Sequence, residues 1–339
     1  MSFLQWSIRA VTLPLRYTWK ISRNASTEKT NLFVHVTDGR FTGTGEAAPN
    51  IRYGETPEAL LEQFNRFAAD SSGPVEDVKE LQARFEKHGL AYALRFAVES
   101  AWLHWSVRDD RRTLLHRLGT GYRDHVPLSY TVPIMDPAEI RNFYEEQQLR
   151  RFPLIKLKID RDRAEDLTRQ LLSCCHQPLI LDANEAFTDV EDCIRFLEKS
   201  KRLPLEIVEQ PMPSSMKEEA EYLKKHCPFP LFADETITHD PDFAHLSRAY
   251  HGINMKLMKA GGYLSGVEML REAKKRGMGT MIGCMVETTL GISSAMHLSS
   301  LADYADLDSF LLLKEEPFGL LKEEEGSISY SDPDKIGPR

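Results

Sequence analysis

With 339 residues, 42% of them apolar and 28% charged, the chain has the make-up of a soluble globular protein, large enough for two domains or for one α/β barrel with an appendage. Its net charge of −8 argues against general nucleic-acid binding, which needs a basic excess. No apolar run approaches a membrane span, the opening MSFLQWSIRAVTLPL lacks a basic stretch ahead of a continuous apolar segment, and the five cysteines form no CxxC pair or zinc spacing; a cytoplasmic protein with reduced thiols is expected.

In the first hundred residues, NLFVHV at 31–36 alternates, DGR at 38–40 is turn-like, and Gly43 and Gly45 follow, which suggests antiparallel strands. GTGE at 43–46 is not a phosphate loop, because it follows a strand and no helix succeeds it. Helical patterns come next, near 57–69, 75–87 and 91–108. The last, AYALRFAVESAWLHWSVR, is apolar almost all round, so it is expected to be buried, with Trp102, His104 and Trp105 as packing residues.

From about residue 126 the pattern changes to short apolar strands separated by helical stretches. The strands are expected at 127–132, 154–159, 178–183, 205–210, 230–235, 252–257, 279–285 and 302–308, with helices at 162–173, 189–200, 214–226 and 264–276. A repeat of roughly 25 residues suits βα units of a parallel sheet, and eight such strands favour a (β/α)-barrel over an open doubly wound sheet. The chain thus divides into an α+β segment over 1–112, a barrel over 113–309, and a closing segment over 310–339 expected to pack back on the N-terminal part.

A barrel site lies at the C-terminal strand ends, and polar residues recur there. LIKLKID at 154–160 places Lys156 and Lys158 on one face of the second strand. Asp182, Glu209 and Asp234 end the third, fourth and fifth strands, Lys256 lies on the sixth, Cys284 on the seventh, and Asp306 and Asp308 on the eighth. Three converging carboxylates are hard to keep ionised without a cation, and an all-oxygen set suits Mg²⁺. The second and sixth strands face each other across an eight-stranded ring, so Lys158 and Lys256 would approach a substrate from opposite sides. Two opposed acid/base groups beside a Lewis acid suit a 1,1-proton transfer: one removes a proton α to a carboxylate and the other returns one on the far face. Lys156 is expected to hold the substrate carboxylate and depress the pKa of Lys158. Lys259 lies one residue off the strand face and is read as non-catalytic, and AGG at 260–262 as a turn. Asp306 and Asp308 are either a paired anion for an ammonium group or a capped turn.

KLK at 156–158, LDANEAF at 181–187, VEQP at 208–211, ADE at 233–235 and NMKLMKAGG at 254–262 together resemble the enolase superfamily, in its muconate-lactonizing-enzyme subgroup. The resemblance spans essentially the whole chain. It implies an α+β capping domain, completed by the C-terminal segment, on a modified (β/α)7β barrel. It also implies Mg²⁺ at Asp182, Glu209 and Asp234, acid/base roles for Lys158 and Lys256, and Asn184 and Glu235 as residues supporting the ligands. ADLDS at 305–309 resembles the DxD of dipeptide epimerases, which implies that Asp306 and Asp308 receive the α-ammonium of a dipeptide and that Thr131 and Cys284 line its pocket. The expected enzyme is a dipeptide epimerase acting on L-Ala-X substrates, L-Ala-D/L-Glu epimerase-like, with a homo-oligomer compatible. Enzymes acting on Ala–Glu carry an arginine in the cap loop where this chain has Asn24, beside Arg23. The side-chain preference is therefore open, and Trp19 and Tyr17 would favour an apolar group. Alternatives are a cycloisomerase or o-succinylbenzoate synthase-type lyase on the same scaffold, a Schiff-base aldolase using Lys256, and a non-catalytic binding module.

Overall fold

The computed structural model describes residues 4–21, 25–70, 75 and 77–337. Strands β1 (Gln5–Lys20), β2 (Ala25–Thr37) and β3 (Thr42–Ala47) form an antiparallel sheet. Helices α1 (Pro57–Asp70), α2 (Val78–His88) and α3 (Tyr92–Ser106) complete the cap, and α4 (Arg111–Leu118) follows. Asp77 accepts from the Glu80 amide to start α2, and Gly89, at φ 59°, ends it.

Helix α3 has no polar face because β3 and the barrel cover it on different sides. Gly43 and Gly45 allow the β3 contact: a methyl group at Gly43 would overlap the Ala101 carbonyl, and one at Gly45 the Ala97 carbonyl. This explains GTGE as a packing motif. Gly43→Ala is expected to cost about 2–3 kcal/mol through overpacking, read as a fall of several degrees in the unfolding midpoint. On the same helix, His104 Nδ1 contacts the Thr44 carbonyl oxygen at 2.8 Å and Nε2 the Tyr263 hydroxyl at 2.9 Å, so this histidine joins cap to barrel.

After β4 (Val126–Pro127), the barrel strands are β5 (Ser129–Val132), β6 (Leu154–Lys158), β7 (Leu179–Asp182), β8 (Leu205–Glu209), β9 (Leu231–Ala233), β10 (Gly252–Lys256), β11 (Gly279–Gly283) and β12 (Tyr304–Asp306). They form one parallel sheet in chain order. The intervening helices are α5 (Ile140–Glu146), α6 (Ala164–Leu172), α7 (Val190–Lys199), α8 (Lys217–His226), α9 (Phe243–Ala249), the single turn α10 (Leu257–Ala260), α11 (Tyr263–Lys275) and α12 (Thr289–Met296). This is the expected eight-stranded α/β barrel, nearly closed, preceded in the chain by an antiparallel-sheet domain. Side chains bridge the seam between β12 and β5: Ser129 Oγ donates to Asp306 at 2.8 Å and the Thr131 amide to Asp308 at 2.6 Å.

Beyond the barrel, the Lys314 amide bonds to the Pro14 carbonyl at 2.9 Å and Phe318 packs edge-on against Phe33. The hairpin β13 (Leu321–Glu324) and β14 (Ser327–Tyr330) then pairs with β4. Arg111 is fully buried under this tail. It donates to the Asp332 and Lys335 carbonyls and to His297, with the Tyr330 ring 3.5 Å from its guanidinium carbon. No helix of the described residues is long and apolar enough to cross a membrane.

Candidate active site

Register brings the polar strand ends to a common level. Lys158 lies across from Asp182, and Asp182 across from Glu209. On the other side Lys256 lies across from Gly283, and Gly283 across from Asp306. A cavity of about 430 Å³ opens between this end of the barrel and the cap. Its lining includes Thr131, Lys156, Lys158, Asn184, Asp234, Glu235, Lys256, Cys284, Asp306 and Asp308 from the barrel. The cap contributes Trp19, Ile21, Glu28, Lys29, Ile51 and Tyr53. Asp182 and Glu209 have no exposed surface and sit under the floor. Asn24 and Arg23 lie outside the described residues.

The two lysines on opposite strands engage different acids. Lys158 Nζ donates to Asp182 Oδ2 at 2.8 Å and to Asn184 Oδ1 at 3.0 Å, and lies 5.9 Å from the centre of the Trp19 ring. Lys256 Nζ donates to Asp234 Oδ2 at 2.9 Å. Strands β6 and β10 stand four apart in the sheet order, so the ammonium groups belong to opposite arcs of the barrel.

Lys156, expected to hold the substrate carboxylate, lines the cavity and is at the same time engaged by three acids. Its ammonium is enclosed and lies 2.7 Å from Asp306, 2.8 Å from Glu209 and 3.0 Å from Asp182. Burial alone would lower its pKa, but Asp182, Asp306 and Glu209 outweigh this and hold it well above the usual lysine range. What it gives the site in this arrangement is compensation of buried negative charge.

The acids divide by how much cation each receives. Burial disfavours ionisation of Asp182, Asp234 and Asp306, yet neighbouring lysines hold all three carboxyls below the ordinary range. Burial pushes Glu209 up to about 8, with Lys156 opposing and Asp182 and Asp234 reinforcing the rise. Burial and the charge of Asp306 push Asp308 up to about 7. Asp306 accepts from Lys156 and Ser129, whereas Asp308 relies on the Thr131 amide, with Thr131 Oγ1 at 3.4 Å from each. Burial raises the Cys284 thiol well above its usual value, and Sγ donates to the Asp306 carbonyl at 3.3 Å on the cavity wall.

Among the described residues, no three acid, histidine or cysteine side chains close tightly enough to cage an ion as they stand. The Lys156 ammonium occupies the point shared by Asp182 Oδ2 and Glu209 Oε2. Glu209 Oε2 makes no hydrogen bond and meets Lys156 by ion pairing alone. A buried carboxylate oxygen left to a cation, two acids aimed at one point, and an all-oxygen donor set completed by Asp234 fit a hard divalent ion.

Several residues escaped sequence reasoning. Lys259 bonds to Asp234 Oδ1 at 2.5 Å, despite lying off the strand face. The chain turns helical at Leu257, so the side-chain period changes from two to 3.6, and a residue three beyond Lys256 returns to the same side. Asn254 bonds Glu209, and Gln210, at φ 36°, accepts from the Asp234 and Thr236 amides. By contrast, Asn184 and Glu235 were both expected to support the ligands, and Asn184 Nδ2 donates to Glu235 at 3.1 Å. Arg52, on the turn Ile51–Tyr53, reaches Glu185 at 2.6 Å and clasps cap to barrel beside Asn184. Tyr17, expected near the substrate, bonds Tyr130 and packs on Phe143 instead.

The model of the "Enolase C-terminal domain-like" family matches residues 138–319, more than half of the chain. The chain belongs to the enolase superfamily. Two relatives are named L-Ala-D/L-amino acid epimerase. That of Pedosphaera parvula is 32% identical over 338 residues, covering 96% of each chain. That of Flavobacterium johnsoniae is 30% identical over 334 residues, covering 97% of this chain and 98% of the relative. Among solved structures, an enolase family member from Agrobacterium tumefaciens, described as having homology to dipeptide epimerases and holding sodium and L-Ala-L-Glu, superposes with a TM-score of 0.90. It is 27% identical and covers 98% of this chain and all of that one. The superfamily member described here thus shares both halves of its architecture, cap and barrel, with that structure.

Proposed function

We propose that this enolase-superfamily protein is a dipeptide epimerase that inverts the α-carbon of the C-terminal residue of L-Ala-X dipeptides by two-base proton transfer. The observation that carries this is the placement of Lys158 and Lys256 on strands four apart, each bonded to a different buried acid. A carbon held between them has an amine on either face. Removing a proton from one face and delivering one to the other inverts the centre. Asp182, Glu209 and Asp234 would hold Mg²⁺, which when bound would supply a Lewis acid for charge developing on the substrate carboxylate.

The remaining residues serve binding. Asp308, which is held by the Thr131 amide and pairs with no lysine among the described residues, receives the α-ammonium, and Asp306 supports it while anchoring Lys156. The cap side of the cavity is mixed, with Trp19, Ile21, Ile51 and Tyr53 beside Glu28, Lys29, Arg52 and Glu55, so it offers both apolar surface and charge to the side chain of X. The relatives named L-Ala-D/L-amino acid epimerases support the same reading.

The test is a library of L-Ala-L-X dipeptides assayed for the L,D product by chiral chromatography. Product should form with Mg²⁺, cease in EDTA, and return when Mg²⁺ is restored. If no dipeptide reacts while calorimetry shows the metal bound, the assignment fails.

A further inference from the structure

The three acids of the proposed metal site each meet the protein asymmetrically. Asp182 Oδ1 accepts from the Asn184 amide at 3.0 Å, Glu209 Oε1 from the Asn254 side chain at 2.9 Å, and Asp234 Oδ1 from Lys259 at 2.5 Å. The opposite oxygens face pocket ammonium groups. Asp182 Oδ2 lies 2.8 Å from Lys158, Glu209 Oε2 lies 2.8 Å from Lys156, and Asp234 Oδ2 lies 2.9 Å from Lys256. One oxygen of each carboxylate is tied to the frame and the other is presented to a cation.

The ties are firm. Lys259 also donates to the Asp234 backbone carbonyl, and its side chain is buried. Asn254 is fully buried and fills the space over Gly283, where any side chain would strike its amide. Neither residue lines the cavity.

A carboxylate pinned through one oxygen offers an ion only the other. Mg²⁺ is small and holds near-octahedral geometry, whereas Ca²⁺ takes more ligands and readily uses both oxygens of a carboxylate. We propose that Asn254 and Lys259 are positioning residues that keep Glu209 and Asp234 in one-oxygen coordination and so make the site prefer Mg²⁺ to Ca²⁺. This rests on the reading of Asp182, Glu209 and Asp234 as the metal ligands.

Calorimetric titration of the full-length Asn254→Leu and Lys259→Met variants with MgCl₂ and with CaCl₂, without substrate, tests it. Loss of a residue supporting a metal ligand typically weakens binding by about 10–100-fold. Mg²⁺ affinity should fall in that range and Ca²⁺ affinity less, lowering the Mg²⁺/Ca²⁺ preference by about tenfold in each variant. An unchanged ratio, including equal weakening of both ions, overturns the proposal. The two substitutions act on different carboxylates, so if one variant fails to fold the other decides. A parent protein that binds neither ion would instead refute the metal site itself, a result distinct from an unchanged ratio.

Discussion

Lys158→Ala and Lys256→Ala are each expected to lower kcat/KM for epimerisation by about 10²–10⁴-fold, the usual contribution of a positioned acid/base group. Neither change should unfold the protein. Without Lys158, Asp182 still meets Lys156 at 3.0 Å, and without Lys256, Asp234 still meets Lys259 at 2.5 Å. The residual chemistry should be one-sided. The amine that survives can still remove the α-proton from the diastereomer presented to it, so each variant should exchange that proton with solvent deuterium without inverting the centre. The two variants should do so on opposite diastereomers. NMR of the L,L and L,D dipeptides in D₂O reads both outcomes. Variants with near-parental rates would remove the lysines from the mechanism.

Asp308→Asn should raise KM for free dipeptides by about 30-fold to several thousand-fold, corresponding to roughly 2–5 kcal/mol for losing one partner of a buried charge pair. The change in kcat should be smaller. Asparagine can still accept from the Thr131 amide, so the loop should keep its shape while losing its charge. An N-acetylated dipeptide, which has no ammonium, should lose nothing further. Asp306→Asn differs because Asp306 also pairs with Lys156 at 2.7 Å and Ser129 at 2.8 Å across the barrel seam. That variant should show a lowered unfolding temperature as well as weaker binding. Equal losses for free and acetylated substrates with Asp308→Asn would refute the ammonium site.

Much of the barrel was legible because its strands are short apolar runs that end in charge. LIKLK, LILD and LEIVE each end in a charged residue, and parallel register brings Lys158, Asp182 and Glu209 to one level. Helix α7 was legible from its amphipathic pattern and from Asp189, which accepts from the Glu191 and Asp192 amides. Helix α12 was not, because TLGISSAM is buried all round and has no polar face to set a period. The bond of Lys259 to Asp234 was not legible for a related reason: strand spacing does not hold past Leu257, where the chain turns helical. The pairing of Lys156 with Glu209 and Asp306 was not readable either, since those acids stand on strands far away in the chain. The hairpin β13–β14 also depends on distant residues, because its partner β4 lies almost two hundred residues earlier in the sequence.

The transfer of hydrogen between two faces is tested most directly by the early time course of epimerisation in D₂O, started separately from the L,L and the L,D dipeptide. Opposed lysines require that product formed first carries deuterium at the inverted carbon in both directions, while unreacted substrate is still largely protiated. Product that retains the substrate's own proton, from either direction, would show one base serving both faces and contradict the placement of Lys158 and Lys256 as a pair.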